Sequence, residues 1–208
     1  MKRLAILGAS GHGKVVADAA ELSGWDEIVF FDDSWPECTH NSIWPVVGNT
    51  EGLLASLDTF AGVAIAIGNN TIRLNKLNVL REQGIALPAI IHPQATVSCY
   101  AKIGEGSIIC AGVVVNVDAC IGAGVILNTG CSVDHDCLLA AAVHISPGAR
   151  LAGGVKVEQS AWVGIGAVVR QLLTVGAFSV VGAGAVVTKD VPAGAVVVGN
   201  PARPLNKS

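Results

Sequence analysis

The sequence predicts two architectures in one chain: a small parallel α/β sheet in residues 1–88, and a parallel β-helix with a C-terminal tail in residues 89–208. The first part alternates strand-like and helix-like stretches, whereas the second carries an aliphatic residue at every sixth position. The composition agrees with a β-helix, because the 208 residues are 51% hydrophobic but only 14% charged and 4% aromatic. A narrow prism of stacked short strands accounts for this, since its interior has no room for aromatic rings.

Residues 1–88 follow the order strand, helix, strand, helix, strand, helix. Strands are predicted at 4–7, 27–31 and 62–67, and helices at 14–22, 51–57 and 72–83. This alternation is typical of a small Rossmann-like parallel sheet, one half of a doubly wound fold. A sheet of this size has room for one mononucleotide, so a ligand with a single nucleotide fits it better than NAD does.

Polar and glycine residues follow the predicted strands. The motif at residues 8–13 opens a helix, where glycines let backbone N–H groups approach a phosphate. Asp32 ends the second strand and could accept hydrogen bonds from a ribose or a base. The predicted substrate-binding residues are Ser10, Gly11, His12, Asp32, Asp33, Gly68 and Asn69. Arg73 is a further candidate, and a structural role is the alternative for this residue and for Asp33, Gly68 and Asn69.

The second part carries a hexad repeat. From Ile91 to Val187 every sixth residue is aliphatic, which makes 17 positions in succession without an insertion. The position four residues after each of these is small or slim almost throughout. Such a repeat predicts a parallel β-helix in which three hexads close one triangular coil, so residues 18 apart stack on each other.

Charge and cysteine usage exclude several kinds of partner. The net charge is −3 and the basic residues are scattered, which argues against nucleic acid and anionic lipid. Residues 171–188 are uncharged, but they contain three glycines and keep the hexad spacing, so no membrane insertion is expected. No signal peptide is expected either. The six cysteines lack a C-x-x-C pair and are predicted to be reduced core residues of a cytoplasmic protein.

Asp134-His135-Asp136 is the charged cluster of the repeat part. Imidazole takes up a proton near neutral pH, and a neighbouring carboxylate would hold one ring nitrogen and leave the other free for a substrate. From spacing alone, a solvent-facing turn is the alternative. Gly153 lies one coil beyond His135, and its N–H is a plausible oxyanion donor. His144 lies half a coil from His135, so the two rings are expected on different faces of one prism.

The hexads resemble those of the left-handed β-helix acyltransferases. The stretches 127–137, 143–149 and 198–204, with the motifs at 8–13 and 31–33, resemble the bacterial sugar O- and N-acetyltransferases, which include the sialic acid O-acetyltransferases. The closest resemblance is to enzymes that N-acetylate a UDP-linked 4-amino-4,6-dideoxy sugar on the way to diacetylbacillosamine. It implies a homotrimer with acetyl-CoA in the groove between neighbouring prisms and the UDP-linked amino sugar on the N-terminal domain.

The resemblance also implies roles for individual residues. His135 is expected to be the catalytic base and Asp136 the carboxylate that orients it, with Asp134 as the fallback. The expected acetyl-CoA contacts are His144, Gly153, Ile165, Ala183 and the tail at residues 199–203. A structural histidine is the alternative for His144, and Gly153 is also expected to be a turn glycine. Ala183 departs from the family pattern, because some relatives have glycine there. No metal is implied.

Three other functions stay open from the sequence. O-acetylation of a sialic acid or another sugar hydroxyl would use the same base. A zinc enzyme resembling the γ-type carbonic anhydrases would need three converging imidazoles. A non-catalytic nucleotide-sugar sensor or scaffold is the third alternative.

Overall fold

The computed structural model describes residues 1–205. Its N-terminal part contains a five-stranded sheet in the order β3-β4-β2-β1-β5, parallel except for the β3–β4 pair. The elements are β1 (Arg3–Leu7), α1 (Gly11–Leu22), β2 (Glu27–Phe31), β3 (His40–Asn41), β4 (Trp44–Gly48), α2 (Thr50–Leu54), a 3-10 helix (Leu57–Thr59), β5 (Gly62–Ile65) and α3 (Asn70–Glu82). The Rossmann-like parallel sheet predicted from the sequence is confirmed.

Two strands of this sheet were not predicted from the sequence. β4 is short and contains Pro45, and β3 has only two residues, so neither gives a clear strand pattern. The parallel strands are ordered β4-β2-β1-β5, and the direction of the strand order reverses between β1 and β5. In open α/β sheets, ligands bind at the carboxyl ends of the strands beside such a reversal.

The two faces of the N-terminal sheet pack differently. Residues such as Ala5 and Leu7 point to one side and pack in a cluster with Leu77 and Leu80 of α3. Alternate residues such as Ile6 point to the other side, where α1 and the second part of the chain join them in one core. The N-terminal sheet therefore rests on the β-helix through α1.

The second part is a left-handed parallel β-helix. Each predicted aliphatic residue is the second residue of a two-residue strand. These strands, β6 to β22, are Ile90–Ile91, Thr96–Val97, Lys102–Ile103, Ile108–Ile109, Val114–Val115, Cys120–Ile121, Ile126–Leu127, Ser132–Val133, Leu138–Leu139, His144–Ile145, Arg150–Leu151, Lys156–Val157, Trp162–Val163, Val168–Val169, Thr174–Val175, Val180–Val181 and Val186–Val187. Two further strands, β23 (Val196–Val198) and β24 (Arg203–Pro204), close the end.

Strands 18 residues apart pair in parallel and form the three faces of a prism. The six-strand face holds β7, β10, β13, β16, β19 and β22; the five-strand face holds β8, β11, β14, β17 and β20; the eight-strand face holds the others. We name the three edges between them the 6/5, 5/8 and 8/6 corners. The repeat shortens at the end, because Val180 pairs with Val196 rather than with residue 198.

The second residue of each short strand points into the prism. From Ile109 to Val187 all of these positions are at most 3% exposed, whereas the first three are half-buried because the first coil has a neighbour on one side only. All six cysteines are free, and Cys110, Cys131 and Cys137 are buried in the prism. Burial raises the pKa of the Cys131 thiol to about 12. The prediction of a core position is wrong for Cys99, which is exposed.

The outward residues of the eight-strand face explain how the two parts join. Ile90, Ile108 and Ile126 are the first residues of their strands, yet each is at most 1% exposed because the N-terminal domain covers them. On the other faces the same position holds residues such as Lys102 and Arg150. Among the described residues, no helix is long and apolar enough to cross a membrane.

We expect Leu127→Ala to lower the free energy of unfolding by about 2–5 kcal/mol, because it leaves a cavity inside the prism. Leu138→Ala is the matched control: it removes the same atoms from a residue that is 45% exposed on the outer surface. Urea unfolding of both variants tests this. Equal losses in the two variants would contradict the inward and outward assignment.

Candidate active site

His135 lies at the 6/5 corner with its ring held by the adjacent carboxylate. Its Nδ1 is 2.7 Å from Asp136 Oδ2, and both side chains are more than half exposed. Asp134 does not bond to the ring. Its Oδ1 accepts hydrogen bonds from the backbone N–H of His135 and from Asn116 Nδ2. The hydrogen bond to Asp136 raises the pKa of His135, and the charges of both carboxylates add to this. His135 is therefore a more basic imidazole than usual, and no group among residues 1–205 bonds to its Nε2.

Gly153 stacks directly on the imidazole, as the coil length predicts. A Cβ placed on Gly153 would lie 2.5 Å from both Cε1 and Nε2 of His135, so only glycine leaves room for the ring. The next residue, Gly154, donates its N–H to the carbonyl of His135 at 2.9 Å. The Gly153 N–H itself donates to no group within residues 1–205. A backbone donor thus lies beside the basic ring nitrogen.

His144 lies on the eight-strand face, so the expectation that it is on a different face from His135 is confirmed. Its ring stacks on Trp162 with centroids 5.8 Å apart, and its Nε2 is 3.3 Å from Asn128 Nδ2. Burial, together with the positive charge of Arg73, lowers the pKa of His144 to about 3. This imidazole is neutral at physiological pH.

His12 is the second neutral imidazole of the site. It lies in the first turn of α1, and its Nε2 is buried without a hydrogen-bond partner among the described residues. Burial first, and then the charge of Arg73, lower its pKa to about 4. A charge on His12 would further lower the pKa of His144, so the two rings are near each other, and the fold brings a predicted substrate residue and a predicted acetyl-CoA residue to one region.

The predicted residues after β1 and β2 lie at the carboxyl edge of the sheet. Ser10 and Gly11 are exposed at the start of α1. Asp32 holds the preceding loop, because its Oδ2 accepts from the Ala9 N–H at 2.7 Å while Oδ1 accepts twice from Ser34. Partial burial opposes ionisation of Asp32, but these hydrogen bonds outweigh it and lower its pKa.

Asp33 also bonds to the protein itself. Its Oδ1 accepts from the Thr50 N–H at the start of α2, and this bond is the main reason why its pKa is lowered. Lys76 lies 3.9 Å from its other oxygen. Both aspartates therefore organise the loops around the sheet edge, and their capacity to accept from a ligand stays a prediction.

Gly68 and Asn69 line a groove of about 440 Å³ between the N-terminal domain and the prism. Asn69 caps α3, since its side chain accepts from the Ile72 N–H. On the prism side the groove is lined by Trp162 and Phe178, which are 46% and 54% exposed. Arg73 cannot face a ligand here, because it is completely buried; its candidacy for substrate binding was wrong.

Ile165 and Ala183 are exposed on successive coils of the 8/6 corner, on the same side of the prism as Asn128. Gly199 and Arg203 of the tail are exposed beyond the last coil. Within residues 1–205 no three His, Cys, Asp or Glu side chains converge as metal ligands would.

The contacts of Asn128, Trp162 and Asn70 were not predicted from the sequence. Asn128 and Trp162 contact His144, and Asn70 joins the N-terminal domain to the prism. One signal was present for Trp162: a residue 18 positions after an outward histidine stacks on it. No local pattern marks Asn70, because its partners lie 90 residues away.

A basic imidazole with a free Nε2 beside a backbone N–H, on a hexapeptide-repeat prism joined to a nucleotide-sized domain, defines the class of β-helix acyltransferases. Comparisons with known proteins narrow the class. Residues 3–80 match the family described as the PglD N-terminal domain. The chain is 46% identical to the acetyltransferase domain of PglB from Neisseria gonorrhoeae, solved in complex with acetyl coenzyme A, with a TM-score of 0.94 over 98% of this chain and 99% of that one.

Two further relatives agree. PerB from Caulobacter crescentus, solved in complex with CoA and GDP-perosamine, is 37% identical, with a TM-score of 0.94 over 99% of this chain and 98% of that one. The UDP-N-acetylbacillosamine N-acetyltransferase of Bacillus subtilis is 38% identical over 118 residues, 53% of this chain; the match spans 52% of that relative. The chain belongs to this family of hexapeptide-repeat sugar N-acetyltransferases.

The two neutral histidines predict a loss of stability in mild acid. The unfolded chain takes up protons at histidine below pH 6.5, whereas the pKa of His12 in the fold is about 4 and that of His144 about 3. The free energy of unfolding should therefore fall as the pH drops through this range, by about 2 kcal/mol per histidine at pH 5. Urea unfolding at pH 7 and pH 5 measures the loss.

His144→Gln should remove about half of this pH dependence, because one of two contributing histidines is gone. His40→Gln, which replaces an exposed histidine of β3, is the matched control and should retain it. An unfolding free energy that is the same at pH 7 and pH 5 in the unmodified protein would show that the two imidazoles are not held neutral.

Proposed function

We propose that this chain is an acetyl-CoA-dependent N-acetyltransferase that acetylates the 4-amino group of a UDP-linked 4-amino-4,6-dideoxy-N-acetyl sugar, as in bacillosamine-type pathways. The observation that carries the proposal is the 2.7 Å contact between His135 and Asp136 beside the backbone of Gly153. The relatives support it: the PglB domain is solved with acetyl coenzyme A, and the Bacillus relative is named for N-acetylation of a UDP-linked amino sugar.

The geometry suits amine acetylation. The acceptor amine attacks the thioester carbonyl, a C–N bond forms, and the C–S bond breaks as CoA leaves. Asp136 holds the proton on Nδ1 of His135, so Nε2 has the lone pair that accepts the proton of the attacking amine and passes it to the leaving thiolate. The Gly153 N–H donates to the oxyanion that forms on the carbonyl oxygen.

The acceptor side of the proposal uses the N-terminal domain. The nucleotide sugar lies at the carboxyl edge of the sheet, against Ser10, Gly11, Gly68 and Asn69, where the strand order reverses. His12 lies at the same edge, and its buried Nε2, which has no partner among residues 1–205, could bond to the sugar only after a local shift of the ring or the loop. Asp32 and Asp33 shape the loops that surround the nucleotide and have further lone pairs to offer it.

The proposed active site lies between two protomers of a homotrimer. The 6/5 corner with His135 and the eight-strand face with His144 lie apart on one prism, so a neighbouring prism must bring the two together. Acetyl-CoA then lies in the groove between prisms, along His144, Ile165 and Ala183. We place the reaction in the cytoplasm, where acetyl-CoA is formed and where six free thiols are kept reduced.

A panel of acceptors tests the proposed reaction. Release of CoA thiol should require a nucleotide-linked sugar with a free amine, and the 4-amino UDP-sugar should give the highest kcat/KM. GDP-linked perosamine tests the choice of nucleotide, since PerB is solved with that ligand. Turnover with sialic acid or with hydroxyl-only sugars in place of amines would contradict N-acetylation.

His135→Ala should lower kcat by about 10²- to 10⁴-fold, which is the contribution of a general base. Asp136→Asn should also lower kcat, and it should move the acidic limb of the pH–rate profile to lower pH, because the hydrogen bond that raises the pKa of His135 is weakened. Asp118→Asn is the matched control, since Asp118 has the same backbone φ one coil away and follows Val117 instead of a histidine. An unchanged profile in Asp136→Asn would contradict the role of Asp136.

Gly153→Ala should lower kcat with little effect on folding. The added Cβ would lie 2.5 Å from the His135 ring, and exposed His135 can rotate away at small cost to stability but loses its position. Gly130→Ala is the control for strain alone: its Cβ meets nothing within 4 Å, but its φ of 64° disfavours alanine, so it should lower stability and leave the His135 ring in place. Steady-state kinetics and thermal unfolding of both variants make the comparison.

A further inference from the structure

Three carbonyl groups of the 5/8 corner point at the N-terminal domain instead of into the coil ladder. Gly124, Ala142 and Ser160 stack 18 residues apart, each with φ between 56° and 63°. Within residues 1–205 no backbone N–H donates to their carbonyl oxygens. All three accept instead from two side chains in the first turns of α3, Asn70 and Arg73.

Arg73 forms hydrogen bonds to two of these coils. Its Nε donates to the Gly124 carbonyl at 2.7 Å, and its Nη2 donates to the Ala142 carbonyl at 2.8 Å. Asn70 extends the contact by one coil, because its Oδ1 accepts from Arg73 at 2.9 Å while its Nδ2 donates to the Ser160 carbonyl at 3.0 Å. Two side chains one helical turn apart therefore form a ladder along three successive coils.

The same guanidinium also holds the loop that precedes α3. Its Nη1 donates to the carbonyls of Ile67 and Gly68 at 2.9 and 3.1 Å. Gly68 and Asn69 of this loop line the groove in which the acceptor is proposed to lie. One planar group with five donors thus connects the acceptor loop to the prism, which a lysine ammonium with three donors cannot reproduce.

The charge of Arg73 has no carboxylate partner. All its acceptors are carbonyl or amide oxygens, and no acidic group lies within salt-bridge distance among the described residues. Arginine is almost never completely buried unless it is paired with an acid. With a sixth bond from Nη2 to the Val143 carbonyl at 3.4 Å, all the hydrogen bonds of Arg73 run to backbone or amide oxygens, which indicates that the side chain holds these groups in a defined geometry.

We propose that Arg73, together with Asn70, is a positioning residue that sets the height of the acceptor loop along the prism and thereby the alignment of the acceptor amine with the thioester. This rests on the proposed function, because it assigns the loop at residues 67–70 to the acceptor. Hydrogen bonds hold their donors at a defined distance and angle from the carbonyl oxygens, so Arg73 and Asn70 fix the loop against three particular coils. The three isoleucines under α1 are nearly alike and slide more easily than directed hydrogen bonds do.

Arg73→Lys tests the proposal, because it keeps a long side chain with N–H donors and removes the planar guanidinium that forms the ladder. Calorimetric titration with CoA counts the competent sites, and kcat is divided by that number. We expect kcat per site with the amino-sugar nucleotide to fall about 10- to 100-fold, as for a displaced reactant, with KM for acetyl-CoA unchanged. Asn70→Ala should act in the same direction and by less. If Arg73 had only a structural role, Arg73→Lys would lower the number of competent sites and leave kcat per site unchanged.

Arg81→Lys is the matched control. Arg81 lies on the same helix and also contacts the prism, with its Nε 2.7 Å from Glu105, but it does not touch the acceptor loop. Its kcat per site should stay at the level of the unmodified protein. An unchanged kcat per site in folded Arg73→Lys would overturn the proposal. If Arg73→Lys does not fold, an unchanged value in Asn70→Ala overturns it.

Hydrogen exchange separates this proposal from the proposed function. The amides of residues 67–70 should exchange faster in Arg73→Lys than in Arg81→Lys, and this needs no turnover. Failure of the unmodified protein to acetylate any nucleotide-linked amine would overturn the proposed function alone. Unchanged exchange at residues 67–70 would overturn the positioning role whether or not the protein is active.

Discussion

The parallel pairing of strands 18 residues apart is the constraint on which the rest of the molecule depends. Each coil adds the same rise to the prism, so the number of a residue gives both its face and its height. Gly153 lies on His135 for this reason alone, and the three carbonyls of the 5/8 corner form a ladder for the same reason. Because the coils are backbone-bonded to both neighbours, groups placed on them move little relative to one another.

The same rigid repeat produces two opposite environments for histidine. His135 lies at a corner in solvent, where a carboxylate raises its pKa. His144 lies on a face that the N-terminal domain partly covers, where burial and a nearby cation lower its pKa to about 3. The first environment suits the proposed proton transfer. In the second, the ring stays neutral and its Nε2 lies 3.3 Å from Asn128 Nδ2.

The position of the N-terminal domain on the prism determines which coils the carboxyl edge of its sheet faces. Its sheet has the strand order that leaves a binding edge at the reversal between β1 and β5, and α1 anchors it on three outward isoleucines of the prism. The edge therefore faces the coil that carries His144 and the coil that carries Trp162. Burial of apolar surface drives the packing of the N-terminal domain on the prism. The hydrogen bonds of Arg73 fix the orientation of the domain and its position along the prism axis.

The sequence by itself determined the β-helix, the register of its coils, and the pairing of His135 with a neighbouring carboxylate and with Gly153. These follow from local spacing, because stacking converts a fixed interval in sequence into a contact in space. Spacing alone left Asp134 and Asp136 open, and the family resemblance favoured Asp136; the structure shows Asp136 on the ring and Asp134 on the backbone. Only the tertiary structure decided that Asp32 and Asp33 bond to loops and that His12 lies near His144. It also decided that Arg73 is buried, since its partners at residues 124 and 142 lie far along the chain and depend on the docking of one domain on the other.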